Sequence, residues 1–284
     1  MARILVGIDG SERGARALEW AARRAEREGD ELTLLAVADP AVARESGVEA
    51  SALADACQRA LDEALAQLKE RHPGVHAATS LVEGKIVEGI IGAAASHDMV
   101  VLGSHHGASV GEAVGGAKGL RVSVSTVAPT VVVPSDWDPA CAGEGVVVGV
   151  GPDKVSESAV AFGVREALAA GQPLELVSAW GLPPVLTRPA EVLGGGLAPV
   201  GEQFQRDLDA RAERLSAENP GLSVSGRAVE GSSPARTLVE CSAGRSLLVL
   251  GTHSRSTLGR ALFGSVTHGV LLDLKVPTVV VPQA

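Results

Sequence analysis

The residues with the clearest chemical potential lie between Gly251 and Pro282. They run Gly-Thr-His-Ser-Arg-Ser-Thr-Leu-Gly-Arg-Ala-Leu-Phe-Gly-Ser-Val-Thr, then a helical stretch, then Pro-Thr-Val-Val-Val-Pro. An apolar run, Ser246 to Leu250, precedes them and reads as a buried strand. Gly251 opens a loop and Gly264-Ser265 opens the next helix. Such a loop can aim successive backbone N–H groups, the Ser265 hydroxyl and a helix N-terminus at one point, which is a means of holding phosphate. The stretch from Gly103 to Pro134 repeats the plan over the same length. It shares Gly103/Gly251, His105/His253, Gly111/Gly259, Gly116/Gly264 and the closing Pro-Thr-Val-Val-Val-Pro. The chain is a tandem repeat, and each copy carries a candidate anion site.

Positioning these loops requires strands that end where the glycines begin. Ile4 to Ile8 is a short apolar run, as expected of a strand covered on both faces, and Ser11 is placed to cap the helix that follows. Ala15, Leu18, Ala22 and Ala25 form that helix's apolar stripe, and Gly29 stops it. Strands are expected at Leu32–Val37, Val75–Val82, Met99–Leu102 and Thr130–Val133. Helices are expected from Ser51 to His72, with Ser51 as cap, and over Ile86–Ser96, and a short one after the glycine loop. The second copy offers strands at Val146–Val150, Leu174–Trp180, Ser223–Val229, Ser246–Leu250 and Thr278–Val281. Its helices open near Ser156, before Phe204, and at Ser233-Pro234, where proline suits a first turn.

Strands alternating with helices at this interval specify parallel βαβ units with helices on both faces. The expected architecture is α/β: two tandem, open, mostly parallel five-stranded sheets. The units span residues 1–134 and 145–284, with 135–144 as linker. The Pro/Gly-rich segment from Gly181 to Gly201 reads as a mobile cover over the second site. Each Val-Val-Val strand comes last in its unit, and an apolar sheet edge is a liability unless paired. The two are therefore expected to pair across an internal pseudo-two-fold axis, an intrachain pseudo-dimer; a homodimer stays open.

Composition excludes several functions. Lys plus Arg number 25 against 34 Asp plus Glu, a net charge of −9, and Tyr is absent, so no basic, aromatic-studded face for nucleic acid is expected. Cys57, Cys141 and Cys241 are scattered without Cys-x-x-Cys spacing, which suits a reducing cytosol and not a disulfide framework or zinc site. Cys57 and Cys241 read as small core residues. His97, Asp98, His105 and His106 invite a metal reading, but adjacent histidines point apart and no His pair stands four residues apart on a helix. No leader is evident before Ile4, and no apolar run nears the ~18 residues of a membrane span, so a cytoplasmic protein without membrane contact is expected.

These residues resemble the universal stress proteins, of the tandem-domain kind, over nearly the whole chain. The resemblance rests on the opening Val-Gly-Ile-Asp-Gly-Ser, the paired Pro-Thr-Val-Val-Val endings and the pattern Gly, two residues, Gly, nine residues, Gly-Ser/Thr. It implies five-stranded parallel domains that, in ATP-binding members, hold adenosine at the carboxyl ends of the strands. Carried onto the second copy, it implies Gly251, Ser254, Gly264, Ser265, Val266 and Thr267 at the phosphates, with Gly151 and the Ala179 backbone near the nucleoside. On the first copy it implies Asp9, Val37, Gly103, Gly116 and Ala117. Each copy departs from the pattern. Ser254 and His106 replace the middle glycine, Ala117 lacks the hydroxyl that Ser265 keeps, and Gly151 stands where the family's nucleotide-contacting aspartate falls. Lys118 offers a point charge in compensation, and Asp153 a displaced carboxylate.

Two functions follow. One is a stress-response protein binding adenine nucleotide, ATP with or without Mg, as a regulatory ligand that orders the loops and changes the surface shown to an unknown protein partner. The other is a nucleotide-free interaction module of the same family. An enzyme is not expected: the chain has neither a Ser-Gly-Gly-x-Asp-Ser loop after its first strand nor a Gly-x-Ser-x-Gly elbow.

Overall fold

The computed structural model describes residues 1–104, 122, 125–151, 155–181, 198–252 and 264–283. The first repeat contributes strands β1 (Arg3–Gly7), β2 (Glu31–Ala38), β3 (Ala77–Glu83), β4 (Met99–Gly103) and β5 (Thr130–Val133). The second contributes β6 (Val146–Gly149), β7 (Leu174–Trp180), β8 (Val224–Glu230), β9 (Leu247–Thr252) and β10 (Thr278–Pro282). The helices are α1 (Glu12–Glu28), α2 (Pro40–Glu45), α3 (Ala50–Arg71) and α4 (Ile86–Ala94), then α5 (Val155–Ala170), α6 (Ala198–Glu218), α7 (Pro234–Ser242) and α8 (Ser265–Leu272).

All ten strands form one sheet in the order β3-β2-β1-β4-β5-β10-β9-β6-β7-β8. Register repeats between the copies: Ile4 lies between Leu32 and Met99, and Val146 between Leu174 and Leu247. Every pairing is parallel except β5 with β10, which run antiparallel with Val131 opposite Val279. The apolar edge strands pair as expected, and this joins the two five-stranded sheets into one. Val131, Val133 and Val279 are fully buried, each worth about 1.5–3 kcal/mol of burial.

The two sheet faces differ. On the α1/α5 side one apolar cluster runs unbroken from Ile4 and Val6 through Val131 and Val279 to Val146 and Val148. On the other side it divides into a first-repeat cluster around Leu5 and Val100 and a second-repeat cluster around Val147 and Leu248. The joined face also carries an ion pair between repeats. Arg24 donates to Glu166 at 2.7 and 3.2 Å and bonds Asp30, with the two carboxylates nearly buried. Arg16 donates to the Trp137 carbonyl at 2.7 Å, fixing the inter-repeat segment against α1.

Local chemistry sets most boundaries. Ser11 caps α1 by accepting from the Gly14 N–H, and Gly29 closes it in the left-handed conformation at φ 71°. Ser233 caps α7, with Pro234 in its first turn. Several expectations need correction. Asp39-Pro40 ends β2 but also starts α2, because the Asp39 carboxylate accepts from the Ala41 N–H at 2.9 Å; six residues are too few to show periodicity. The next helix starts at Ala50 without a side-chain cap, so Ser51 is not its cap. β3 begins at Ala77, two residues later than Val75. α6 begins at Ala198, so the segment expected as a loop up to Gly201 ends earlier; 182–197 lies outside the described residues.

Candidate functional site

In each half the connections reverse direction between the first and fourth strands, β1/β4 and β6/β9, opening a crevice at their carboxyl ends. In the second repeat this crevice is a cavity of about 340 Å³. Gly151, Ala179, Gly251, Gly264, Ser265, Val266 and Thr267 all line it. One wall is apolar, made by Val177, Leu238 and Leu250, and suits a flat ring. The start of α8 lines it as well. Its N-cap, Gly264, has no side chain to offer the first-turn N–H groups, so the helix begins uncapped and its positive dipole end faces the cavity. Thr267 donates to the Gly251 carbonyl at 3.4 Å, tying the helix to the end of β9.

Thr252 is the residue that sequence reasoning missed. It is the last residue of β9 and lines the same cavity; only 3% of it is exposed, and its hydroxyl has no hydrogen-bond partner among the described residues. A buried unpaired hydroxyl costs about 1–3 kcal/mol, so it calls for an explanation. Its counterpart in the first repeat, Ser104, is equally buried but accepts from the Ser135 N–H at 3.1 Å. The signal was in the loop, as the residue following Gly251, but nothing in the spacing shows which hydroxyl is left unpaired.

The strand-end position also differs between copies. The Asp9 carboxylate accepts from the Ser11 N–H at 3.0 Å and lies 2.7 Å from where a Cβ on Gly14 would stand. Any larger residue at 14 would displace it. In the second repeat Asp9 becomes Gly151 and Gly14 becomes Ser156. The buried Ser156 hydroxyl accepts from the Gly151 N–H at 2.8 Å. The exchange is reciprocal: the strand end carries a carboxylate in the first crevice and none in the second, where no charged side chain lines the cavity among the described residues. In the sequence Ser156 reads only as the opening of a helix, and its bond to Gly151 was not foreseen; Asp153 stood out there as a substitute carboxylate.

The first-repeat cavity, about 300 Å³, takes in Asp9, Val37 and Gly103 with Arg13, Cys57 and Val122. A Cβ at Gly103 would lie 2.5 Å from the Arg13 carbonyl, so β4 passes α1 too closely for any side chain. Burial pushes the Cys57 thiol above its ordinary pKa, which keeps it protonated. Cys57 and Cys241 both pack against core clusters, half-buried. The candidate residues Ser254, Gly116 and Ala117, together with Asp153, His105, His106, Lys118 and His253, lie outside the described residues. Among the described residues no group of three or more His, Cys, Asp or Glu is placed to hold a metal, and no helix is long and apolar enough to cross a membrane.

The Universal stress protein family matches this chain twice, over residues 1–134 and again over 144–282. The chain belongs to the universal stress protein family. Universal stress protein Rv2005c of Mycobacterium tuberculosis is 34% identical over 197 residues, covering 66% of this chain and 62% of that protein's own length. The chain thus spans less than two thirds of that relative. A universal stress protein of Mycolicibacterium smegmatis is 28% identical over 295 residues, covering 98% of this chain and 96% of the relative. Among solved structures, a universal stress protein from Archaeoglobus fulgidus superposes with a TM-score of 0.75 at 18% identity, covering 100% of this chain and 97% of that one. At that identity the likeness speaks for the fold. This universal stress protein therefore has its family's α/β architecture in both repeats, with the sheet continuous between them.

Proposed function

We propose that this universal stress protein binds an adenine nucleotide, ATP foremost, as a regulatory ligand in the second-repeat cavity. The observation that carries the reading is the buried Thr252 hydroxyl, unpartnered among the described residues, beside the start of α8, whose N-cap Gly264 has no side chain to cap it. A phosphate there would accept from Thr252 and from the first-turn N–H groups, and would lie at the positive end of the helix dipole. The apolar wall of Val177, Leu238 and Leu250 would take the base, and the Ala179 backbone its edge. Thr267, Ser265 and Val266 would stand at the phosphates. No carboxylate lines this cavity among the described residues, so an accompanying Mg would be held through phosphate and water.

The role is binding rather than turnover, and the organisation is one nucleotide-holding unit, 145–284, joined by 135–144 to a partner unit, 1–134. Ser104 already bonds to the backbone, which favours a nucleotide-free role for the first repeat. Calorimetric titration with ATP, ADP and AMP up to millimolar concentration tests the proposal. One site per chain, weakened more than about tenfold in Thr252→Val, is the expected result; no heat with any of the three would reject it.

A further inference from the structure

The second-repeat cavity does not end at Gly151. Val150 and Gly151 also line a second, larger groove of about 620 Å³ between α5 and α6, so the two spaces meet at the carboxyl end of β6. In the first repeat the corresponding residue is Asp9, whose carboxylate occupies the strand end. Replacement by Gly151, with the backbone N–H satisfied by Ser156, takes the carboxylate and its bulk off the strand end itself; Asp153 lies outside the described residues.

Two guanidiniums, Arg211 and Arg214, line the far side of the groove from α6. Neither makes a salt bridge or hydrogen bond among the described residues. Arg211 is half-buried, and burial lowers its pKa; Glu157 across the groove offsets this only in part, while Arg214 adds to it. Of the other carboxylates in the groove, Asp207 accepts from the Gln203 amide at 2.7 Å, and Glu218 is exposed on the last turn of α6. Stacking of Phe204 on Trp180, centroids 5.7 Å apart, fixes α6 against the end of β7 and so holds the pair of arginines in place. Glu157, Asp207 and Glu218 share the groove with the two arginines, so an anion would be held by the guanidinium forks themselves, which no salt bridge occupies among the described residues, and not by a net positive groove.

We infer that the second-repeat site takes a nucleotide carrying an additional phosphate on its ribose, directed past Gly151 toward Arg211 and Arg214. The inference rests on the nucleotide reading above and names the ligand class for that same site. A ribose facing Asp9 would present its hydroxyls to a carboxylate, which repels a phosphate; a ribose facing Gly151 meets no such barrier.

The test compares AMP with adenosine 3′,5′-bisphosphate and adenosine 2′,5′-bisphosphate, which share the 5′-phosphate and differ only at the ribose. Calorimetry on the full chain is expected to show one bisphosphate binding at least about tenfold tighter than AMP, a difference of about 1.4 kcal/mol. In R211Q/R214Q that ratio should fall to about one. G151D, which restores the carboxylate, should lower it as well and provides an independent arm if the arginine variant folds poorly. AMP binding without a bisphosphate advantage, or an advantage untouched by R211Q/R214Q, would overturn this inference and leave the nucleotide reading standing. Failure of all three ligands to bind would overturn both.

Discussion

Thr252→Val should have opposite effects on the free and the liganded protein. Valine is close to isosteric with threonine, so the cavity wall keeps its shape and only the hydroxyl is lost. In the free protein Thr252 is 3% exposed and its hydroxyl is unpaired among the described residues, so removing it relieves about 1–2 kcal/mol of uncompensated desolvation. Urea unfolding of the variant should therefore show unchanged or increased stability. With nucleotide at one hundred times its Kd, the wild type should gain about 2.7 kcal/mol from binding. Loss of a hydrogen bond to a charged phosphate, worth about 1.5–3 kcal/mol, should raise Kd more than tenfold and cut that gain to about 1 kcal/mol. The control is Ser104→Ala, whose hydroxyl accepts from the Ser135 N–H at 3.1 Å; it should destabilise the free protein by about 1 kcal/mol. A free Thr252→Val protein that is less stable than wild type by 1 kcal/mol or more, on the order of an ordinary lost hydrogen bond, would show that the hydroxyl is already satisfied without ligand. The argument for an anion there would then fail.

Other outcomes follow from the same geometry. Arg24→Ala leaves buried Asp30 without its arginine and Glu166 with only Arg27 at 3.9 Å, and should cost about 3 kcal/mol in urea unfolding, because it breaks the closer ion pair between repeats. Gly14→Ser alone should destabilise by evicting the Asp9 carboxylate, whereas Asp9→Gly with Gly14→Ser rebuilds the Gly151/Ser156 arrangement; a double-mutant cycle should read about 1 kcal/mol or more of favourable coupling. Burial raises the Glu19 pKa, but hydrogen bonds from Arg23 and His72 and the charge of Arg71 more than offset this and hold it below its ordinary 4.5. A depressed carboxyl stabilises the fold above its unfolded pKa and loses that contribution as pH falls through the folded value. Wild-type stability should thus drop more steeply than that of Glu19→Gln as pH falls below about 4.5. Equal slopes would mean the Glu19 pairings make no difference to stability.

Much of the fold was legible because its signals are local. Apolar runs of four to six residues bounded by glycine or aspartate can hardly be anything but buried strands, and Ser11, Gly29 and Ser233-Pro234 cap their helices as their chemistry requires. Where the reading erred, α2 is too short to show a period, and the helix after it starts one residue before Ser51 with no side-chain cap at all. The identical Val-Val-Val endings even disclosed the antiparallel pairing, since an apolar edge needs a partner.

The sequence by itself determined the duplication, the alternation of strand and helix, and the positions of the glycines that let backbone approach a ligand, because each depends on neighbours along the chain. Only the tertiary structure decided which groups are left unpaired. Ser104 and Thr252 follow equivalent glycines, yet one hydroxyl is taken by Ser135, just past β5, and the other by none of the described residues. The loss of a carboxylate at Gly151 reads as a defect until Ser156 is seen to fill its bonding role and the groove of Arg211 is seen to open beside it. Hydrogen-bond satisfaction and cavity continuity are sums over residues distant in sequence, and only the folded chain brings those residues together.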